Sequence, residues 1–179
     1  MVKKIVGTVL GLIVVAILGI VAVAALTQPS SFKVERERVL AAPADAVFQN
    51  LVDFHRWQSW SPWEKLDPNM KKTHGGPQQG VGATYAWKGN SDAGEGKMTI
   101  TEAKPNTELT IRLEFIDPFP ATNTTHFALS PEESGTRVRW TMTGDNDLMG
   151  KIFGMFFDMD SMVGKDFERG LKALGQVSH

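Results

Sequence analysis

Residue types able to do chemistry are thinly spread along this chain. Its four histidines, His55, His74, His126 and the terminal His179, have no second histidine four residues away, and there is no cysteine, so the spacings that hold zinc are missing. Asp158 and Asp160 lie two apart, which on a helix points them in different directions and excludes a carboxylate pair on one face. Asp158 falls between Met155 and Met162 at helical spacing. Beside a cavity, burial would raise its pKa and suit it to general acid or base work; the plainer alternative is a solvated charge next to an apolar stripe. GGPQQGVGATY carries a GxG but lacks the later glycine and the following helix of a dinucleotide loop, and no GxSxG elbow occurs. No catalytic residue, metal ligand or cofactor is assigned. Asn123-Thr124-Thr125 matches a glycosylation sequon of a kind frequent by chance and is assigned nothing.

The tryptophans are the other distinctive group. WQSWSPW, residues 57 to 63, holds three of the five in the chain. Such a cluster can be core packing, a platform for nucleic-acid bases or the wall of an apolar pocket. With Lys3 and Lys4 set aside, the remaining 17 basic residues are scattered among 20 acidic ones, so the electrostatic footprint of a nucleic-acid partner is absent. Packing and pocket wall remain.

The elements that must position these residues follow from hydrophobic period. FKVERERVL alternates and reads as a first strand. In AAPADAVFQNLVDF the period becomes helical, with Pro43 suited to the first turn, Asp45 complementing the helix N-terminus, and Val47, Phe48, Leu51 and Val52 as the apolar stripe. Trp57 and Trp60 are expected to share a helical turn that Pro62 stops, leaving Trp63 on an extended segment. Strand patterns then recur in MKKTHGG, GATYAWKG, KMTITEA, TELTIRLEFID, TNTTHFALS and TRVRWTM, separated by turns, which predicts an antiparallel meander with one dry and one wet face. His126 and Arg112 fall on the wet parity. From Leu148 to Leu174 apolar residues step by three or four, predicting one helix of some 25 residues that covers the sheet.

The N-terminus differs from all of this. Ile5 to Leu26 is an uncharged run of 22 residues, about 33 Å of helix, which matches a bilayer core. It exceeds the h-region of about 7 to 15 residues usual in a cleaved signal, so an anchor is favoured over cleavage. Lys3 and Lys4 precede the span and uncharged TQPSSF follows it, which places the N-terminus in the cytoplasm and the rest in the periplasm or another extracytoplasmic space. The expected organisation is an anchor over residues 1–26, a linker over 27–31, one domain over 32–175 and a tail over 176–179.

The stretches AAPADAVFQNLVDFHRWQSWSPW, GVGATYAW, MTITEAKPNTELTIRLEF and GKDFERGLKAL, in this order of elements, resemble the polyketide cyclase/dehydrase-like branch of the SRPBCC superfamily, also called START-like or helix-grip proteins. The resemblance covers residues 32–175. It implies an α+β helix-grip fold: a curved antiparallel sheet of about seven strands wrapped around a long C-terminal helix, with two short helices after the first strand. It also implies a cavity between helix and sheet that in relatives holds lipids, sterols, polyketides or other apolar molecules. On that basis the expected pocket wall is Trp60 and Trp63, the inward strand residues Tyr85, Trp87, Met98, Ile100, Leu113, Phe115 and Phe127, and the helical Met155, Met159 and Met162, whose thioethers repack readily around a guest. The function expected is uptake of an apolar small molecule or lipid beside a membrane. The alternatives are a cyclase- or dehydratase-like enzyme, requiring a buried titratable group such as Tyr85 or Asp158 in the cavity, and an envelope interaction protein with a filled core.

Overall fold

The computed structural model describes residues 2–178; Met1 and His179 lie outside the described residues. In chain order the elements are α1 (Val2–Thr27), β1 (Ser31–Leu40), α2 (Ala44–Val52), 3-10 turns at Phe54–Ser59 and Pro62–Lys65, β2 (Lys71–Gly75), β3 (Thr84–Lys88), β4 (Glu95–Lys104), β5 (Glu108–Asp117), β6 (Ala121–Glu132), β7 (Gly135–Asp145), α3 (Leu148–Gly154) and α4 (Met159–Val177). Contacts divide them into two compact units, residues 1–32 with 145–159 and residues 33–144 with 160–179.

In the first unit, α1 is long and apolar enough over Leu10–Thr27 to cross a membrane. It closes with Thr27 Oγ1 donating to the Val23 carbonyl at 2.8 Å, and Pro29 follows. The same unit holds α3, whose first turn is capped by the Asp147 carboxylate accepting from the Gly150 N–H at 2.7 Å.

In the second unit seven strands form one sheet in the order β1-β7-β6-β5-β4-β3-β2. Neighbours from β2 to β7 are antiparallel, so the chain runs up and down across the sheet and its last strand lies beside its first. Alternation decides the faces: Leu109 and Ile111 of β5 and Val138, Trp140 and Met142 of β7 are buried, while the outer face carries ion pairs such as Glu37 with Arg137 at 2.7 Å. Register shifts at Glu95/Gly96 and Ile100/Glu102 between β4 and β5 insert unpaired residues that bend the strands.

α4 covers the dry face. Gly164, Phe167, Leu171 and Leu174 are its buried stripe, and the Phe167 ring stacks on Trp140 at 4.1 Å. At its start Arg36 reaches across from β1 to Asp160 at 2.9 Å and Glu168 at 3.0 Å. At its far end Asn50 of α2 donates to Ser178 Oγ at 3.1 Å.

Two sequence expectations change. The apolar run from Leu148 is not one helix but α3 and α4, interrupted over residues 155–158. Gly154, a poor helix former, ends the first, and Asp158 stands just before the second, where a short acidic side chain suits a helix start. Trp63 lies on the 3-10 turn Pro62–Lys65 rather than on an extended segment; Pro62 does end the preceding turn, but its fixed φ also starts the next one.

Candidate functional site

Beyond the contact of Phe167 with Trp140, side chains of α4 and of the dry face of the sheet stop short of one another. They leave a cavity of about 260 Å³. Trp87, Met98, Leu113, Trp140 and Met142 form its sheet wall, Val163 and Phe167 its helix wall, and Trp57, Trp63, Leu66 and Met70 its end. Leu66, Asp92 and Phe115 are lining residues that remain exposed, and so mark where the cavity reaches solvent.

The tryptophan cluster builds that end through hydrogen bonds. The last carbonyls of a helix have no partner within it. At the end of α2, Trp57 Nε1 donates to the Leu51 carbonyl at 3.0 Å and Trp60 Nε1 to the Asn50 carbonyl at 3.1 Å. Both indoles are pinned as a result, with ring centres 4.7 Å apart. Trp57 borders the cavity, and Trp60 sits behind it in the core.

Of the twelve residues expected at the wall, Trp63, Tyr85, Trp87, Met98, Leu113 and Phe115 line the cavity together. Trp60, Ile100 and Phe127 do not; they are packed to full burial elsewhere in the core. Met155, Met159 and Met162 do not line it either, and Met162 is 52 % exposed. Met155 falls in the break before α4, and Met159 and Met162, in the first turn of α4, point away from the stripe that runs from Gly164 to Leu174. Asp158 is likewise absent from the wall.

Several lining residues were not among the expected twelve. Trp140, Met142 and Phe167 carried a signal, since each sits on the inward parity or stripe. Glu64 carried none, because a lone glutamate in sequence reads as solvated.

Glu64 is nevertheless the polar centre of the cavity. Its side chain is 7 % exposed; Tyr85 Oη donates to Oε1 at 2.7 Å, and Lys72 Nζ pairs with Oε2. Burial, and then the hydrogen bond to Glu64, push the Tyr85 phenol far above its ordinary range, so it stays protonated. Its oxygen still has lone pairs to accept a hydrogen bond. A second polar atom is notable among the lining residues: Trp140 Nε1 is buried and has no acceptor among the described residues, an omission that costs about 1–3 kcal/mol.

Two loops at the rim are joined by one buried carboxylate. Asp67 Oδ1 accepts from the Asn69 N–H at 2.8 Å and Oδ2 from the Asn90 N–H at 2.9 Å, tying the Leu66–Met70 loop to the β3–β4 turn. Position 89 must be glycine for this approach, since a Cβ there would lie 3.1 Å from Asp67 Oδ2 and closer still to Ala93.

A smaller cavity of about 150 Å³ lies beside the sheet edge, lined by Phe54, His55, His74 and residues 75–78 among others. The His55 and His74 rings stack at 4.1 Å, and His55 Nδ1 lies 2.9 Å from Asp53 Oδ1. Burial, then the neighbouring His55, hold His74 below the ordinary imidazole pKa.

A seven-stranded antiparallel sheet gripping a C-terminal helix, with a cavity between them, defines a helix-grip protein. Residues 31–178 match the family described as polyketide cyclase / dehydrase and lipid transport, and the chain belongs to that family, within the SRPBCC superfamily. Among solved structures it is similar to protein CV1439 from Chromobacterium violaceum (16 % identity, 82 % of this chain and 96 % of that one, TM-score 0.60). It is also similar to protein MLL2253 from Mesorhizobium loti (18 %, 83 % and 100 %, TM-score 0.59) and to the Aha1 dimer from Colwellia psychrerythraea (17 %, 82 % and 96 %, TM-score 0.58). At these identities the likeness is one of fold. A comparison with curated protein sequences found no match.

Proposed function

We propose that this protein is a membrane-anchored binding protein for a small, largely apolar molecule that carries an oxygen function. The observation that carries the reading is the cavity itself, apolar on most sides and furnished with one buried hydrogen-bonding cluster. Its size narrows the guest. About 260 Å³ exceeds the ~150 Å³ that suffices for benzene but falls below the ~300–1,000 Å³ of ordinary ligand pockets. A fused-ring or short isoprenoid molecule fits that range, whereas a two-chain phospholipid does not. A hydroxyl on the guest would donate to Tyr85 Oη, and a carbonyl or ether oxygen would give Trp140 Nε1 the acceptor it lacks. On this reading the span in α1 is the anchor, and Lys3 and Lys4 before it favour an N-terminus in the cytoplasm with the domain on the other side.

The Tyr85–Glu64 pair also supports a second reading, a cyclase-like enzyme that moves a proton in the cavity. Binding is favoured over it on chemical grounds. A phenol held protonated far above neutral pH is a weak acid and offers no base, while both oxygens of Glu64 are already engaged.

Full-length protein extracted from its own membranes and weighed by native mass spectrometry is expected to retain a small organic molecule. Aromatic or isoprenoid alcohols added at about 100 times their Kd should stabilise it by about 2.7 kcal/mol. Tyr85→Phe should weaken the alcohols roughly tenfold, the value of one hydrogen bond, and leave the matching hydrocarbons unaffected. A panel in which no guest shifts the melting temperature overturns the binding reading, and slow turnover of a bound alcohol would favour the enzyme.

A further inference from the structure

The apolar segment Leu148–Phe157, expected from sequence to face the sheet, turns outward instead. Leu148, Met149, Phe153, Phe156 and Phe157 are exposed, Met149 by 61 % and Phe156 by 67 %, and the Phe153 and Phe157 rings stack on each other at 4.3 Å. Large apolar clusters on a surface mark contact sites. The first compact unit supplies the argument for what covers this one. The Asn146 N–H donates to the Ser30 carbonyl at 2.8 Å, Asn146 Nδ2 donates to the Pro29 carbonyl at 3.2 Å, and Gly154 approaches the Gln28 side chain with no Cβ between them. Gln28, Pro29 and Ser30 directly follow the helix suited to span a bilayer. The segment is therefore hydrogen-bonded just before its start, and lies close at Gly154, to the residues that follow that span.

We infer that Leu148–Phe157 is a second membrane contact, lying in the interfacial layer of the leaflet from which α1 emerges, with Met149, Phe153, Phe156 and Phe157 among the acyl chains. This rests on the anchor reading proposed above. A helix of seven residues is too short to hold a membrane alone. Tethered to a span it has no need to, because its insertion is intramolecular and its effective concentration at the surface is high. Charge does not drive the contact: Lys151 is flanked by Asp147 and Asp158, so the attraction is apolar and independent of anionic lipid.

The test uses full-length protein in vesicles of phosphatidylcholine with and without phosphatidylglycerol. The chain has no cysteine, so single sites accept an environment-sensitive dye cleanly. Met149→Cys and Phe156→Cys report on the segment, Val15→Cys on the span and Thr101→Cys on the sheet, all at exposed positions where a label leaves the core untouched. Circular dichroism verifies that each variant is folded. The labels at 149 and 156 are expected to lose emission to a quencher placed high on the acyl chains more than to one placed deep. The label at 15 should show the reverse preference, and the one at 101 should respond to neither. High salt or removal of phosphatidylglycerol should change nothing. Quenching at 15 with none at 149 or 156 overturns the second contact and leaves the anchor standing; energy transfer between copies at 149 would then identify a second copy of the chain as the cover. No quenching at 15 overturns the anchor reading and this inference with it.

Discussion

The indoles of Trp57 and Trp60 show how a single side chain can settle two problems, filling apolar space and giving a helix end the donors it lacks. His74 shows the opposite, a titratable ring placed where a proton is unwelcome. Its partial burial and the stacked His55 lower its pKa in the folded state, with a hydrogen bond to the Phe54 backbone and then the carboxylates of Glu64 and Asp53 partly offsetting them. The unfolded chain therefore takes up a proton first as pH falls through about 6.5, and folding loses stability until His74 protonates in the fold as well. His74→Gln should lose less stability than the parent chain between pH 7.5 and pH 5.5 in urea titrations, although solvent at the exposed edge of the ring keeps the difference small. Equal losses would show that the stacked pair does not sense pH. The carboxylates of Glu35, Glu37 and Glu108, held low first by hydrogen bonds to Lys33, Arg139 and Lys104, act in a separate window below about 4.5. At this scale sequence was least informative. Trp87 and Leu113 were legible as inward strand positions, but nothing in WEKL says that Glu64 turns inward, because only the folded chain brings Tyr85 and Lys72 to it.

At the scale of elements, strand alternation carried most of what was legible. β5 is the clearest instance, since Leu109 and Ile111 against Glu108, Thr110 and Arg112 determine both its period and its dry face. The C-terminal helices show why period alone fails. A stripe of Leu, Ile, Met and Phe has the same spacing whether it meets a sheet, a partner or lipid, so Leu148–Phe157 and Phe167–Leu174 read as one surface although they are two. What separates them in the fold is steric. α4 lies close to β7 because residue 170 is glycine: a Cβ there would stand 2.7 Å from Trp140 Cζ3 and 3.2 Å from Pro62 Cδ, both parts of rigid rings. Gly170→Ala brings a helix-propensity gain of about 1 kcal/mol against an overpacking cost of about 1–3 kcal/mol, so a net loss of about 1 kcal/mol is expected. A lowered urea midpoint at unchanged slope would verify it, and a raised midpoint would show that Trp140 yields freely.

For the whole molecule, composition offered no footprint for a polyanion partner and pointed to a bilayer, and the order of elements resembled a helix-grip domain. Whether that domain was hollow could not be read from sequence, because a filled core and a walled cavity use the same residue types at the same parities. The volume left over depends on how far α4 stands from the sheet, which is set by contacts such as Phe167 on Trp140 and Arg36 on Asp160.

The buried carboxylate of Asp67 has a kinetic meaning. By fastening the Leu66–Met70 loop to the β3–β4 turn it makes the two sides of the opening a rigid doorframe, so that neither can swing aside for a molecule in transit. Passage then waits on the rupture of one clasp, and loading and unloading are slowed in equal measure. Asp67→Ala should accelerate both in stopped-flow exchange while their ratio, the affinity, holds steady; a change in the ratio alone would mean that Asp67 shapes the chamber and not its threshold.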